Sequence, residues 1–164
     1  MSRVSTEDFD TFVDGLDYPV FVVTTGVDGD RAGALVGFTT QTSIDPPRML
    51  VCLSTANHTF EVAERADLLA VHVLDPGQRD LAELFGGETG DHTDKFARCR
   101  WSAGPGGVPL LEDCPRRFVG RILDRHPFGD HVGYLLEPVA LDLKQTGPAL
   151  SFSQARGIDP GHSA

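Results

Sequence analysis

Two polar segments of the sequence border one short apolar run. The first consists of five consecutive hydroxyl or amide residues: Thr39, Thr40, Gln41, Thr42 and Ser43. Such a bend offers side-chain and backbone donors beside a buried sheet. This chemistry suits a planar heterocycle that takes hydrogen bonds at its edge and apolar contacts on its face. An ordinary turn before Pro46 and Pro47 is the other interpretation.

The second polar segment, Ser54 to Thr59, lies where the apolar run gives way to a predicted helix. Its Asn57 is a favourable N-cap residue. Unpaired N–H groups at a helix start attract an anion, and the neighbouring hydroxyls and imidazole add donors for a phosphate. Simple capping by Asn57 explains the same residues without a ligand. Because both segments flank one predicted strand, Arg48 to Ser54, a ring site and a phosphate site could serve one ligand.

Two histidines, His126 and His131, flank a predicted tight turn at residues 127–130. No cysteine or carboxylate pattern with ligand spacing accompanies them, so we predict no metal site. A structural turn with solvated imidazoles is one interpretation. In the other, His131 lies at the mouth of an active site, where an imidazole orients a substrate or stabilises charge.

Lys95 and Phe96 follow a polar loop. A lysine there could neutralise a ligand phosphate while the phenyl ring covers a heterocycle. A surface lysine beside a core anchor is an equally good interpretation of the pair.

The elements that must position these residues are mostly strands. Apolar and β-branched runs predict strands at 19–25, 32–39, 48–54, 68–74, 118–125 and 131–143. The turn residues 27–30 predict that the first two strands form a hairpin. Short helices are predicted after the capping residues Ser5 and Asn57 and over 78–85, and we expect the first to pack against the sheet.

Adjacent hairpins without regular strand-helix alternation favour an antiparallel sheet. We therefore predict a mainly β fold, a β-barrel with peripheral helices. The sequence contains no GxGxxG, GxxxxGK[ST] or GxSxG motif. The sequence therefore does not favour the usual dinucleotide-binding fold, a phosphate-binding loop or a serine hydrolase.

Length and composition bound the remaining possibilities. With 164 residues the chain can form one domain with its own core, and we expect a single domain over 1–164 centred on about 19–150. The net charge of −10 argues against a nucleic-acid partner. Three cysteines without a CxxC pair are typical of free thiols in a reducing compartment. We find no apolar signal core or membrane-length stretch and expect a cytoplasmic protein.

Taken in order, these segments resemble the flavin reductase-like family, the FMN-binding split barrels that supply reduced flavin to partner monooxygenases. The resemblance covers about residues 19–150. It rests on PVFVVTT (19–25), FTTQTSIDPP (38–47), RMLVCLS (48–54), NHTF (57–60), LLAVHVL (68–74), LAELFGG (81–87), DKF (94–96) and GDH (129–131).

The resemblance implies hydride transfer from NADH or NADPH to FMN or FAD, a homodimer and a possible monooxygenase partner. It places the isoalloxazine edge at the first polar segment and the phosphate end at the second, and it puts His131 beside the flavin and the nicotinamide as the catalytic residue. The expected cofactor-binding residues are Gly37, Phe38, Thr39, Thr40, Gln41, Thr42, Ser43, Ser54, Asn57, His58, Thr59, Lys95 and Phe96.

Three functions follow as hypotheses. The first is an NAD(P)H-dependent flavin reductase. The second, on the same barrel, is an F420-dependent or other flavin-coupled reductase of an organic acceptor. The third is a non-catalytic flavin-binding electron carrier.

Overall fold

Antiparallel strands make up most of the protein, as the apolar and β-branched runs predict. The computed structural model describes residues 1–87 and 94–158. Its strands are β1 (Phe21–Val27), β2 (Asp30–Val36), β3 (Thr39–Ser43), β4 (Arg48–Ser54), β5 (Leu68–Val73), β6 (Trp101–Ala103), β7 (Pro109–Leu111), β8 (Arg116–Pro127) and β9 (His131–Leu143). Its helices are α1 (Thr6–Val13), α2 (His58–Ala63) and α3 (Arg79–Gly86), with 3-10 turns at Lys95–Arg98 and Pro105–Gly107.

Seven of the strands form one sheet in the order β2-β1-β5-β8-β9-β4-β3. The sheet curls so that β2 lies beside β4, which gives a barrel with α2 and α3 at its periphery. The mainly β prediction is confirmed. Strands β6 and β7 form a separate hairpin, which the sequence pattern does not predict. Within the described ranges, every helix is too short or too polar to cross a membrane.

The β1–β2 hairpin forms where the sequence predicts it. Val27 pairs with Asp30, so only Asp28 and Gly29 form the loop. Both have positive φ, 51° and 87°, which is the backbone that a two-residue type I′ turn requires. Gly29 adopts this conformation without steric cost, and Asp28 is among the residues that tolerate it.

The sheet separates two apolar clusters, because successive side chains of a strand point to opposite faces. On β1, Val23 packs into the barrel interior with Val51, Leu53 and Tyr134. The neighbouring Val22 packs on the other face against α3, the β6–β7 hairpin and the C-terminal segment. Leu150 anchors that segment, and its N–H donates to the carbonyl of Leu74 at 2.7 Å.

Helix α1 differs from its prediction. Ser5 caps it as expected, accepting a hydrogen bond from the Asp8 N–H at 3.1 Å. The helix has eight residues, and none of them is buried. The expectation that it packs against the barrel of its own chain is therefore wrong. An amphipathic pattern predicts a helix but does not specify which surface covers its apolar face.

A buried histidine joins the sheet to the β6–β7 hairpin. His72 Nδ1 donates to the Val22 carbonyl at 3.0 Å, and Nε2 accepts from the Leu111 N–H at 3.0 Å. These partners require the neutral ring with its proton on Nδ1. Burial lowers the pKa of His72 to about 4.

This depressed pKa predicts a loss of stability in acid. The unfolded chain binds a proton at His72 near pH 6.5, whereas the folded chain does so only near pH 4, so the contribution is complete above pH 6.5 and falls between these values. We expect His72 to account for about 2.5 kcal/mol of the unfolding free energy lost between pH 7.5 and pH 4.5. Urea unfolding of the protein and of His72→Gln at both pH values measures this. An equal acid loss in the two proteins would contradict it.

Candidate functional site

The pairing of β4 with β9 brings the second polar segment next to His131. Ser54, the last residue of β4, lies opposite His131, the first residue of β9. Directly opposed residues of an antiparallel pair project from the same face of the sheet. The start of the second polar segment and the predicted catalytic histidine are therefore neighbours.

The face that carries His131 is the outer face of the barrel wall. Val132 and Tyr134 alternate with it and are buried in the interior. Gly133 points outward with His131 and pairs with Cys52 of β4. The floor beside His131 thus consists of a small thiol, which is partly exposed, and a glycine, which the Phe128 ring covers.

Phe38 forms a wall beside this floor. The Cys52 N–H donates to the Phe38 carbonyl at 2.9 Å, which fixes the Gly37–Phe38 bend next to β4. The Phe38 ring is exposed and contacts His131, with ring centroids 4.8 Å apart. We call Phe38, Cys52, Ser54, His131 and Gly133 the strand-face site.

His131 is oriented by Asp130. Its Nδ1 donates to Asp130 Oδ1 at 2.7 Å, and this bond holds the pKa of Asp130 below its usual value. Thr55 fixes the turn, because its N–H and hydroxyl both donate to the Asp130 carbonyl, at 2.9 and 3.1 Å. With Nδ1 engaged, Nε2 is the ring atom that can contact a ligand.

A second aromatic pair borders the same floor, and the sequence pattern predicts a role at the site for neither of its residues. The rings of His126 and Phe128 lie 4.7 Å apart. Phe128 covers Gly133 so closely that a Cβ there would sit 2.3 Å from the Phe128 ring. The sequence signal for this pair was Phe128, an aromatic residue within the predicted turn at 127–130.

The segment Thr39 to Ser43 is a strand and not the predicted bend. As β3 it pairs with β4 at the sheet edge, with Thr39 opposite Val51 and Ser43 opposite Arg48. At about 3.3 Å per residue, Thr39 lies ~10 Å along β4 from Ser54, and Ser43 lies ~20 Å away. Only the Gly37–Thr40 end of the predicted ring site therefore approaches the strand-face site. Gln41, Thr42 and Ser43 extend away from it.

The start of α2 forms the polar end of the site. Asn57 caps the helix as predicted, accepting from the Thr59 N–H at 2.9 Å. His58 is partly exposed beside Glu61, with Nδ1 3.2 Å from Oε2. Thr59, however, is buried within the fold. The predicted phosphate contact of Thr59 is not supported, whereas Ser54, Asn57 and His58 remain at this end.

Lys95 and Phe96 do not border the strand-face site. Lys95 is buried and donates from Nζ to the carbonyls of Gly33 and Phe85, at 3.1 and 3.0 Å. Phe96 packs edge-on against Phe85 and Trp101 in the cluster beneath α3. Their predicted roles at a ligand are wrong, because tertiary packing turns both side chains into the fold. The interpretation of Phe96 as a core anchor is confirmed.

The chemistry of the strand-face site is that of ring binding. Burial raises the pKa of the Cys52 thiol, so it stays protonated at neutral pH and is a poor nucleophile. The Cys52 floor, the Phe38 wall and the His131 imidazole fit a planar ring, and the helix start beyond Ser54 suits its polar end.

Comparison with known proteins points to one family. The family model described as a flavin reductase like domain matches residues 13–158. The FMN reductase (NADH) RutF of Bradyrhizobium diazoefficiens is 31% identical over 141 residues, covering 86% of this chain and 78% of the relative. The protein of the same name from Stutzerimonas stutzeri is 31% identical over 149 residues, covering 91% and 85%.

Solved structures show the same architecture. The NADH:FAD oxidoreductase SgcE6 of Streptomyces globisporus superimposes with a TM-score of 0.81 at 25% identity, covering 95% of each chain. A flavin reductase domain protein from Arthrobacter shares the fold, with a TM-score of 0.82 at 21% identity over 97% of this chain and 94% of the other. The ordered segments, the barrel and the family match agree, and the chain belongs to the flavin reductase like family of split β-barrel proteins.

Proposed function

We propose that this protein is an NADH-dependent flavin reductase that uses FMN. The observation that carries the proposal is the convergence of Phe38, Ser54 and His131 on the outer face of the sheet, as a flat ligand with an anionic tail requires. The preference for FMN and NADH is supported by the names of relatives about 31% identical to this chain over most of its length.

Each part of the strand-face site has a distinct role. Phe38 supplies an apolar contact for the ring, and the small side chain of Cys52 leaves room for a flat ligand beside His131. Ser54, Asn57 and His58 receive the phosphate end. Asp130 holds His131 so that Nε2 faces the two rings. Hydride transfer from nicotinamide to the flavin ring is chemistry that the bound groups supply, and the protein aligns them.

We further propose that the protein acts in the cytoplasm as a homodimer and that a separate monooxygenase consumes the reduced flavin. These proposals rest on the family resemblance. A coupled assay with an oxygenase that requires free reduced flavin would test the last of them.

A spectroscopic assay separates the three functional hypotheses. The purified protein is mixed with FMN or FAD and with NADH or NADPH under anaerobic conditions, and the flavin absorbance is followed. Bleaching fastest with FMN and NADH is the expected result. Flavin binding without bleaching would favour an electron carrier and overturn the proposal. Absence of both would direct the search to F420.

His131→Ala is expected to lower kcat/KM for NADH-dependent flavin reduction by on the order of tenfold or more, about 1.4 kcal/mol of transition-state stabilisation. The dissociation constant of FMN should change less, because Phe38 and the strand floor remain. Stopped-flow reduction and flavin titration measure the two effects. His126→Ala, in the same turn, is the matched control and should reduce the rate less. Equal losses of rate and of binding in His131→Ala would remove its proposed role.

Ser54→Ala is expected to weaken FMN binding several-fold and to leave riboflavin binding unchanged, since only FMN carries the phosphate. The expected loss corresponds to about 1 kcal/mol for one hydrogen bond. Thr42→Ala is the control, because Thr42 lies toward the far end of β3. Its affinities for both ligands should match those of the unaltered protein. If Ser54→Ala has the same ratio of FMN affinity to riboflavin affinity as the unaltered protein, the phosphate contact is excluded.

A further inference from the structure

Helix α1 exposes an apolar face in this chain. Phe9 and Phe12 are 57% and 72% exposed, although their rings stack with centroids 5.7 Å apart. Val13, one residue further on, is also exposed. The three positions have the spacing of one helix face.

A helix of this length does not persist in water by itself. Isolated helices shorter than about 12 residues are marginal even with favourable sequences. Ser5 caps α1, but none of its eight residues is buried. The family match begins at Val13, the last residue of α1. A surface that covers Phe9 and Phe12 would supply the missing stabilisation.

Strand β9 carries a second uncovered apolar surface, which we call the β9 stripe. It consists of Val139, Leu141 and Leu143, which are 48%, 66% and 59% exposed. The residues between them, Ala140 and Asp142, are partly buried. An exposed apolar row at alternate positions of a strand is typical of a surface that another element covers.

The charges beside the two surfaces are opposite in sign. Glu7, Asp8 and Asp10 give α1 its negative charge. At the β9 stripe, Arg116 pairs with Leu143 in the sheet, and Lys144 follows directly. Opposite charges around matching apolar surfaces favour one pairing over like-with-like contacts.

We propose that α1 of one copy packs on the β9 stripe of a second copy. In a two-fold dimer this contact occurs twice, because each chain contributes one helix and one stripe. The inference specifies the interface of the homodimer proposed above. It does not depend on flavin chemistry, and its test uses no flavin.

The experiment measures molar mass by light scattering for two variants. Each substitution keeps a residue that suits the secondary structure at its position. The helix variant is Phe9→Gln/Phe12→Gln, and the stripe variant is Leu141→Thr/Leu143→Thr. The unaltered protein should have the mass of two chains. Each variant alone should dissociate at least ~100-fold more readily, because both copies of the contact are damaged.

Mixing the two variants gives the decisive result. A heterodimer of one helix variant and one stripe variant retains one intact contact, so the mixture should recover dimer that neither variant forms alone. Ile44→Thr, at an exposed turn outside both surfaces, is the control and should keep the mass of two chains. Far-UV circular dichroism verifies that each variant is folded.

Three results would overturn the inference. They are a single-chain mass for the unaltered protein, an unchanged mass in either variant, and no recovery on mixing. The last would mean that like surfaces pair. Failure of flavin reduction with a normal dimer would count against the proposed function alone.

Discussion

The register between β4 and β9 is the constraint on which the site depends. Val51 and Leu53 of β4 and Tyr134 of β9 are buried on the inner face, and they fix the pairing. A slip of one residue would move those side chains into solvent and would turn His131 and Ser54 toward the core. Burial on one face of the wall therefore sets the geometry of the polar groups on the other face.

The same strand also holds the helix that forms the polar end of the site. The Tyr134 hydroxyl donates to Glu64 Oε2 at 2.9 Å, just after α2. Arg125, opposite Tyr134 on β8, donates to the carbonyls of Ala63 and Ala66 at the end of α2. Cations at a helix end satisfy its free carbonyls and its negative dipole. Strand β9 thus presents His131 outward while its buried tyrosine helps to fix α2.

Local pattern in the sequence was sufficient to predict the elements with strong signals. The apolar run at β4 has its predicted bounds, as does β9, and the Asp28-Gly29 loop forms as expected. Strand β3 was missed because an edge strand open to solvent carries polar residues on both faces, which removes the apolar alternation. Which residues meet at the site was less predictable. Tertiary packing determines the contact of Phe38 with His131 and the burial of Lys95. A local sequence pattern does not predict such contacts.

The placement of Lys95 bears on how tightly an anionic ligand can be held. Its ammonium group is bound to the carbonyls of Gly33 and Phe85, so its charge acts within the fold and not at the strand-face site. The chain carries a net charge of −10, which repels anions. Salt at physiological concentration screens this repulsion beyond about 8 Å. Attraction for a phosphate then comes from short-range donors near Ser54 and Asn57. A reductase that releases its flavin needs a hold of this moderate kind, because a buried ion pair with the phosphate would slow release.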